Sequence, residues 1–390
     1  MRSVKFSMSY LLMVLYFFII TTLILRAQTD GLQSITISDL ESHLYFLASD
    51  ELQGRATGEP GLKIAAGYLA SSKKLKGVED PHAGFLTDAA KVFIIHRNIA
   101  DKLLEGTGID LETLQKKIDI GLKPHSFNIR GKTLNIRFEV QTSDITVSNV
   151  FGIIEGSDAV LKNEYVIYSA HYDHLGTDNM GGTYNGADDN ASGCTALLEI
   201  AEAFLAEPVK PGRSLAFLWI SGEEIGLFGP QYYSEYPLIP LEHTVVAINL
   251  DMAGRTRTPE DVATATGDEI SVLGRDSIGI IGGLQSKTVM DINNATLLQM
   301  NMTGDYRYNN PDHPQRYFYR SDHINFARKD IPVLFYSTGI HKDYHHVTDT
   351  PDRIDYEKLR NVTGFAFMVG YNIANYDGDI VVDNPFSRWG

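Results

Sequence analysis

A layered α/β domain with a largely parallel or mixed sheet is the fold this sequence predicts, and three observations carry the prediction. From Asn149 onward, short β-branched and aromatic runs alternate with segments of helical periodicity, the pattern of sheet and helix layers. Several apolar runs exit into histidines or carboxylates, as in "EYVIYSA" before "HYDHLG" and "RSLAFLWIS" before Glu223 and Glu224, where a plain turn would place Gly or Asn. The 390 residues are 43% hydrophobic and 10% aromatic, enough apolar side chain for a large core, and 21% charged is ordinary for a globular chain.

In chain order, Arg2 and Lys5 precede an apolar stretch from Tyr10 to Leu25, then Ala27 and polar residues. This is the layout of a signal peptide over residues 1–27. The apolar part, roughly 16 residues, falls just short of the ~17–25 of a spanning helix, so membrane attachment is expected only if the segment stays uncleaved. Either way the body is expected to be exported, whether periplasmic, secreted or at the cell surface. The chain has one cysteine, Cys194, so no intramolecular disulfide is possible, and Cys194 reads as a small core residue at the start of an apolar helix.

Residues 28–80 read as the N-terminal helical part of the domain, with apolar residues at helical spacing from 34 to 80. Residues 81–148 read as an inserted segment or simply as more of the core: "AKVFII" as a strand, "IADKLLEGTG" and "DLETLQKKIDIG" as helices, and "KTLNIRFEVQTSDITV" as an alternating strand. The core, 149–380, carries strands at "NVFGIIEG", "EYVIYSA", "RSLAFLWIS", "HTVVAINL" and "IPVLFYST". Its long helices are "SGCTALLEIAEAFLAE" and the closing "YEKLRNVTGFAFMVGYNIANY".

In open α/β sheets a ligand lies outside the carboxyl ends of the strands. His171, the pair Glu223 and Glu224, Asp251, the pair Asp188 and Asp189, and the segment "HKDYHHVTDT" should therefore converge. Carboxylates gathered at one edge repel and resist ionisation unless cations neutralise them. Two histidines and three or more carboxylates without a thiolate suit zinc or another borderline divalent ion. One metal would leave carboxylates over, whereas two, roughly 3.5–4 Å apart with a bridging carboxylate, would use them all.

The motifs "AHYDHLG", "YNGADDNASG", "SGEEIGLFG", "NLDMAG" and "YHHVTDTPD", in this order, resemble the dizinc exopeptidase family of bacterial leucyl aminopeptidases, aminopeptidase Y and glutamate carboxypeptidase. "FLASDELQGRATGEPG" resembles the region that precedes the domain in secreted bacterial members. The resemblance implies a three-layer α/β/α zinc-exopeptidase fold, a mixed, largely parallel sheet flanked by helices, and two divalent metal ions, most simply Zn2+. It implies His171 and Asp251 on one metal, Glu224 and His345 on the other, and Asp189 bridging. Glu223 is implied as general base and Asp173 as the residue orienting His171; Tyr344, just before His345, reads as an oxyanion donor or else as a buried aromatic. The His-x-x-x-Asp-Thr spacing selects His345 over His346. Asp188 is expected to cap the following helix or bond its loop, and His174 and His323 to be supporting residues.

Peptide substrates follow from the resemblance, and the formal charge of -15 excludes a nucleic-acid surface. An aminopeptidase is expected by analogy with secreted members. A glutamate-type carboxypeptidase or dipeptidase is the alternative, because Arg255, Arg257, Arg316 and Arg320 flank the site in sequence as Asp312, Asp322 and Asp343 do. A one-zinc glutaminyl-cyclase-like transferase and a silent metal-binding ectodomain are the readings outside peptidase chemistry. Against the family pattern, 81–148 is too short for a complete protease-associated domain and resembles only its later part.

Overall fold

The structure, a computed structural model, describes residues 30–71, 76–80, 97–121, isolated positions between 125 and 132, 146–178, 180–264 and 271–389. The expected leader at 1–27, the "AKVFII" run and the alternating stretch from 133 to 145 lie outside the described residues. Contacts divide the chain into two compact units, one of Met1–Ala83 with Ile145–Gly390, the other Gly84–Asp144.

The larger unit is built on an eight-stranded sheet of β1 (Lys76–Asp80), β2 (Asn149–Ile154), β3 (Tyr165–His171), β6 (Ser214–Ile220), β7 (Thr244–Leu250), β8 (Ser277–Gly282), β9 (Thr303–Asp305) and β10 (Val333–Ser337). A separate two-stranded ribbon pairs β4 (Gly176–Thr177) with β5 (Thr183–Tyr184). The order across the large sheet is β1-β2-β6-β3-β7-β10-β8-β9. β6, β3, β7 and β10 run parallel at the centre, β1, β2 and β8 join antiparallel to their inner neighbours, and β9 is parallel to β8.

Strand β6, "SLAFLWI", reads as a continuous apolar run because both its faces are covered. Leu215, Phe217 and Trp219 join one core cluster; Ala216, Leu218 and Ile220 join the other. The first cluster packs the sheet against the helices Ile37–Leu47, Gly193–Ala206, Lys287–Met300 and Tyr356–Ala374, through residues such as Leu44, Phe204, Val289 and Phe367. The second takes Tyr233 from the helix Phe228–Glu235 and Phe326 from His323–Ala327. Helix, sheet and helix thus form the three expected layers.

The helices Ile37–Leu47 and Pro60–Ser71 stand where helical spacing predicts them, but Lys76–Asp80 is an edge strand paired antiparallel with β2. "KGVED" has little intrinsic strand character, and its pairing to a distant segment decides its state. β8, the helix Lys287–Met300 and β9 extend the sheet beyond β10 without having been anticipated, because the Gly-rich "SIGIIGG" gives only a weak alternating signal. In the smaller unit, Arg97–Leu104 and Leu111–Gly121 are the two expected helices. No described helix is long and apolar enough to cross a membrane.

Candidate metal centre

The parallel central strands all deliver polar residues to the carboxyl edge of the sheet. β3 ends on His171, β7 is followed by Asp251, and β6 runs through Ser221 and Gly222 to Glu223 and Glu224. Asp189 comes from the turn Ala187–Ser192 that opens the helix Gly193–Ala206, and His345 from the loop after β10. His171, Asp189 and Glu224 offer ligand atoms all within 4.8 Å of one another. His171 Nε2 stands 3.3 Å from Asp189 Oδ1 and 3.4 Å from Asp251 Oδ1. His345 Nε2 stands 3.1 Å from Asp189 Oδ2 and 3.5 Å from Glu224 Oε2. The donors thus fall into two groups that share Asp189, one oxygen to each.

The spacing can be tested against a metal. Around a four-coordinate zinc with bonds of about 2.0–2.1 Å, neighbouring ligand atoms stand roughly 3.3 Å apart along the edges of the tetrahedron. These donor separations, 3.1 to 3.5 Å, bracket that value. Asp251 Oδ1 is buried without a hydrogen-bond partner among the described residues, as an oxygen reserved for a cation would be. The residues present therefore fit a divalent ion.

Behind the donors lies a second set of contacts. Asp251 Oδ2 accepts from Ser321 Oγ at 2.7 Å, Ser321 Oγ accepts from Asn249 Nδ2, and Asn249 Oδ1 accepts from Ser169 Oγ, both at 2.8 Å. Asp173 meets His171 through its backbone carbonyl, 3.1 Å from Nδ1, and its carboxylate stands 3.9 Å from that nitrogen. The Asp173 carboxylate instead accepts the N–H groups of Glu223 and Glu224, at 3.2 and 3.4 Å, and the Thr57 hydroxyl at 2.7 Å. His174 Nδ1 lies 2.7 Å from Glu224 Oε1, leaving Oε2 toward His345. Asp188 bonds the loop rather than a helix end: Oδ1 accepts from Gly254 N and Oδ2 faces His341 Nε2 at 3.2 Å. Asp349 Oδ2 accepts the N–H groups of both Asp188 and Asp189.

Electrostatics point the same way. Desolvation, opposed by His171 and reinforced by Asp322, Asp251 and Glu224, lifts the Glu223 carboxyl well above the usual carboxylate range. Desolvation and then Asp189 push Glu224 up to about 8. Asp322, fully buried with neither oxygen hydrogen-bonded among the described residues, is lifted by burial to about 8. Burial lowers His174 to about 4, which keeps its ring neutral beside Glu224. Acidic groups that resist ionising together are relieved by a bound cation.

Of the residues singled out from sequence, His171, Asp189, Glu223, Glu224, Asp251, Tyr344 and His345 all line one cleft of about 760 Å³, its mouth included. The Tyr344 ring stacks on His345 with centroids 3.8 Å apart. His346 is exposed, its Nδ1 directed at Tyr344 O. Of the arginines, Arg320 lines the cleft, whereas Arg255 is buried against Asp343 and Asp349, and Arg316 covers the Tyr319 ring. His323 is buried and stacks on Phe335, and Cys194 is buried with Sγ 3.1 Å from His171 O.

Residues not anticipated do the bracing. Arg55 donates to the carbonyls of Leu47, Tyr172, Asn185 and Gly186, tying the N-terminal segment to the loops that carry His171 and Asp189. Ser321, Asn249 and Thr57 are the others. Arg55 and Thr57 lie in "GRATG", Ser321 in "RSDHINF" and Asn249 in "NLDMAG", motifs that do not by themselves show which residues meet.

Fold and donor set place the molecule among layered α/β proteins with a metal-type centre at the carboxyl edge of the sheet. The chain belongs to peptidase family M28, whose profile matches residues 149–369, more than half of its length. An uncharacterized protein YfbL of Escherichia coli is 30% identical over 216 residues, 53% of this chain and 66% of that protein. A probable leucine aminopeptidase of Arthroderma benhamiae is 23% identical over 253 residues, 62% of this chain and 63% of the relative. The chain thus spans less than two thirds of the length of these relatives. Among solved structures, the zinc aminopeptidase BSAP of Bacillus subtilis superposes with TM-score 0.60 at 17% identity, covering 90% of this chain and 98% of the other. A Bacteroides thetaiotaomicron glutaminyl cyclase superposes with TM-score 0.54 at 16% identity, covering 87% and 98%. At such identities the likeness is one of fold.

Proposed function

We propose that the protein is an exported aminopeptidase that hydrolyses N-terminal residues from peptides with two divalent metal ions, most simply zinc. The observation that carries the reading is the sharing of Asp189, one oxygen facing the His171–Asp251 pair and the other facing Glu224–His345. His171 and Asp251 would hold one ion, Glu224 and His345 the other, and Asp189 would bridge. When bound, such a pair of ions supplies Lewis acidity, acidifying water and polarising the scissile carbonyl. Glu223, on the cleft wall, takes the proton of the attacking water and delivers it to the leaving amine. Asp173 holds the backbone of both glutamates and, through its carbonyl, the ring of His171. The Tyr344 hydroxyl is the residue to donate to the developing oxyanion. Names of relatives such as "probable leucine aminopeptidase" and "zinc aminopeptidase" support the choice of chain end. Export rests on the leader at 1–27, and residues 81–148 are read as a shortened protease-associated insert.

The test is hydrolysis of free-amine aminoacyl chromogens and of N-blocked dipeptides by the purified protein, with and without chelator and added zinc. Free-amine substrates should be cleaved, chelator should abolish cleavage, and Glu223→Gln should lower kcat by about 10²–10⁴ with two metals retained. Cleavage restricted to blocked substrates with a free carboxylate would move the protein to the carboxypeptidase side. Binding of a single metal, without hydrolysis, would favour the transferase chemistry of the cyclase-like relatives.

A further inference from the structure

The cleft extends well beyond the donors, along one row of the sheet. Asp251 donates its N–H to Tyr336 O at 3.2 Å and so stands level with Ser337. Ser337 is opposite Gly279, and Gly279 is opposite Asp305. All four residues line the cleft. Three strand spacings of about 4.8 Å put Asp305 roughly 14 Å from Asp251. Between them the sheet presents only a hydroxymethyl and a hydrogen, so the row is a trough. The row beside it, Phe335 opposite Ile281, lies on the same face, and Leu273 and Tyr308 add apolar wall.

An apolar trough with a carboxylate at its far end has the shape to take an extended lysine or arginine. Asp305, however, already has a cation. Arg307 donates Nε at 2.7 Å and Nη2 to Asp305 Oδ2, and its backbone N–H to Oδ1 at 2.9 Å. Arg257 adds a second positive charge close by. A basic side chain reaching Asp305 along the trough would have to share that carboxylate with Arg307 or displace it, either competing with an existing ion pair or standing as a third cation beside Arg257 and Arg307. An apolar side chain leaves the pair intact and gains by burying its own surface.

We propose that the Asp305–Arg307 pair sets the side-chain preference of the cleft, Arg307 standing in for a basic substrate so that extended apolar residues such as leucine, methionine and phenylalanine are accepted and lysine and arginine are turned away. This rests on the aminopeptidase reading above. The measurement is kcat/KM on Leu, Met, Phe, Lys, Arg and Glu aminoacyl chromogens for the zinc-loaded wild type, Arg307→Gln, Arg307→Ala and the double variant Asp305→Asn/Arg307→Gln. The wild type should prefer the apolar set. Either Arg307 variant should raise the Lys:Leu and Arg:Leu ratios about ten- to a hundredfold, the worth of a hydrogen-bonded charge, and the double variant should lose that gain. An unchanged ratio in both Arg307 variants, or a wild type that already prefers lysine and arginine, overturns the assignment while leaving the aminopeptidase reading standing. A zinc-loaded wild type inert toward every free-amine substrate overturns both.

Discussion

The two halves of the centre use the same chemistry, one imidazole and one carboxylate each around the shared Asp189, yet they are mounted differently. His171 and Asp251 sit at the ends of the adjacent parallel strands β3 and β7, with side chains 1% and 12% exposed. Asp251 is held further by the Ser169–Asn249–Ser321 chain. Glu224 lies in a turn beyond β6, and His345 in the loop after β10, 36% exposed and with φ of 58°, a region uncommon for a non-glycine residue. That loop is braced from behind, where Asp343 bonds Arg255 and Arg353 and Asp349 receives the N–H groups of Asp188 and Asp189. A strand end holds its donor by the sheet ladder, whereas a loop relies on a few charged contacts and stores strain. Equal donors should therefore bind unequally, the strand-borne half more tightly.

The largest effect belongs to the residue common to both halves. Asp189→Ala removes one donor from each, and metal content should fall below one equivalent, with a loss of turnover of roughly a thousandfold or more. Retention of two ions by that variant, read by elemental analysis after dialysis, would break the description of one shared centre. Between the halves, His345→Ala should keep about one equivalent, while His171→Ala should lose both ions under the same dialysis. The reverse pattern would invert the ranking. The smallest effect tests the bracing: Ser321→Ala should weaken the tighter ion by about ten- to a hundredfold in a metal-buffer titration and leave the weaker one unchanged. Equal weakening of both ions would show that the halves are not independently supported.

The donors were legible because each breaks a local rule. A carboxylate pair at the exit of "RSLAFLWIS" and a histidine at the end of "EYVIYSA" stand out against apolar strands, and motif order did the rest. The bracing was not legible in the same way. Ser169 and Asn249 are single polar residues within apolar strands, and their meaning depends on Ser321, more than seventy positions from Asn249 in the chain. Asp173 was expected to orient His171; it meets that ring by its backbone carbonyl, while its carboxylate accepts the N–H groups of the two glutamates, a division that depends on the turn after β6. Lys76–Asp80 looked helical until β2 paired with it, and with β8 and β9 unrecognised, the far end of the cleft at Asp305 had no place in the sequence reading.

By itself the sequence determined the layered fold, the strand exits and the residues that gather there, because hydrophobic period and residue type act over a few neighbours along the chain. Tertiary structure decided donor spacings of 3.1 to 3.5 Å, the unequal mounting of the two halves and the row from Asp251 to Asp305. These depend on strand order and register between segments far apart in the chain, and no local pattern encodes which strand will lie beside which.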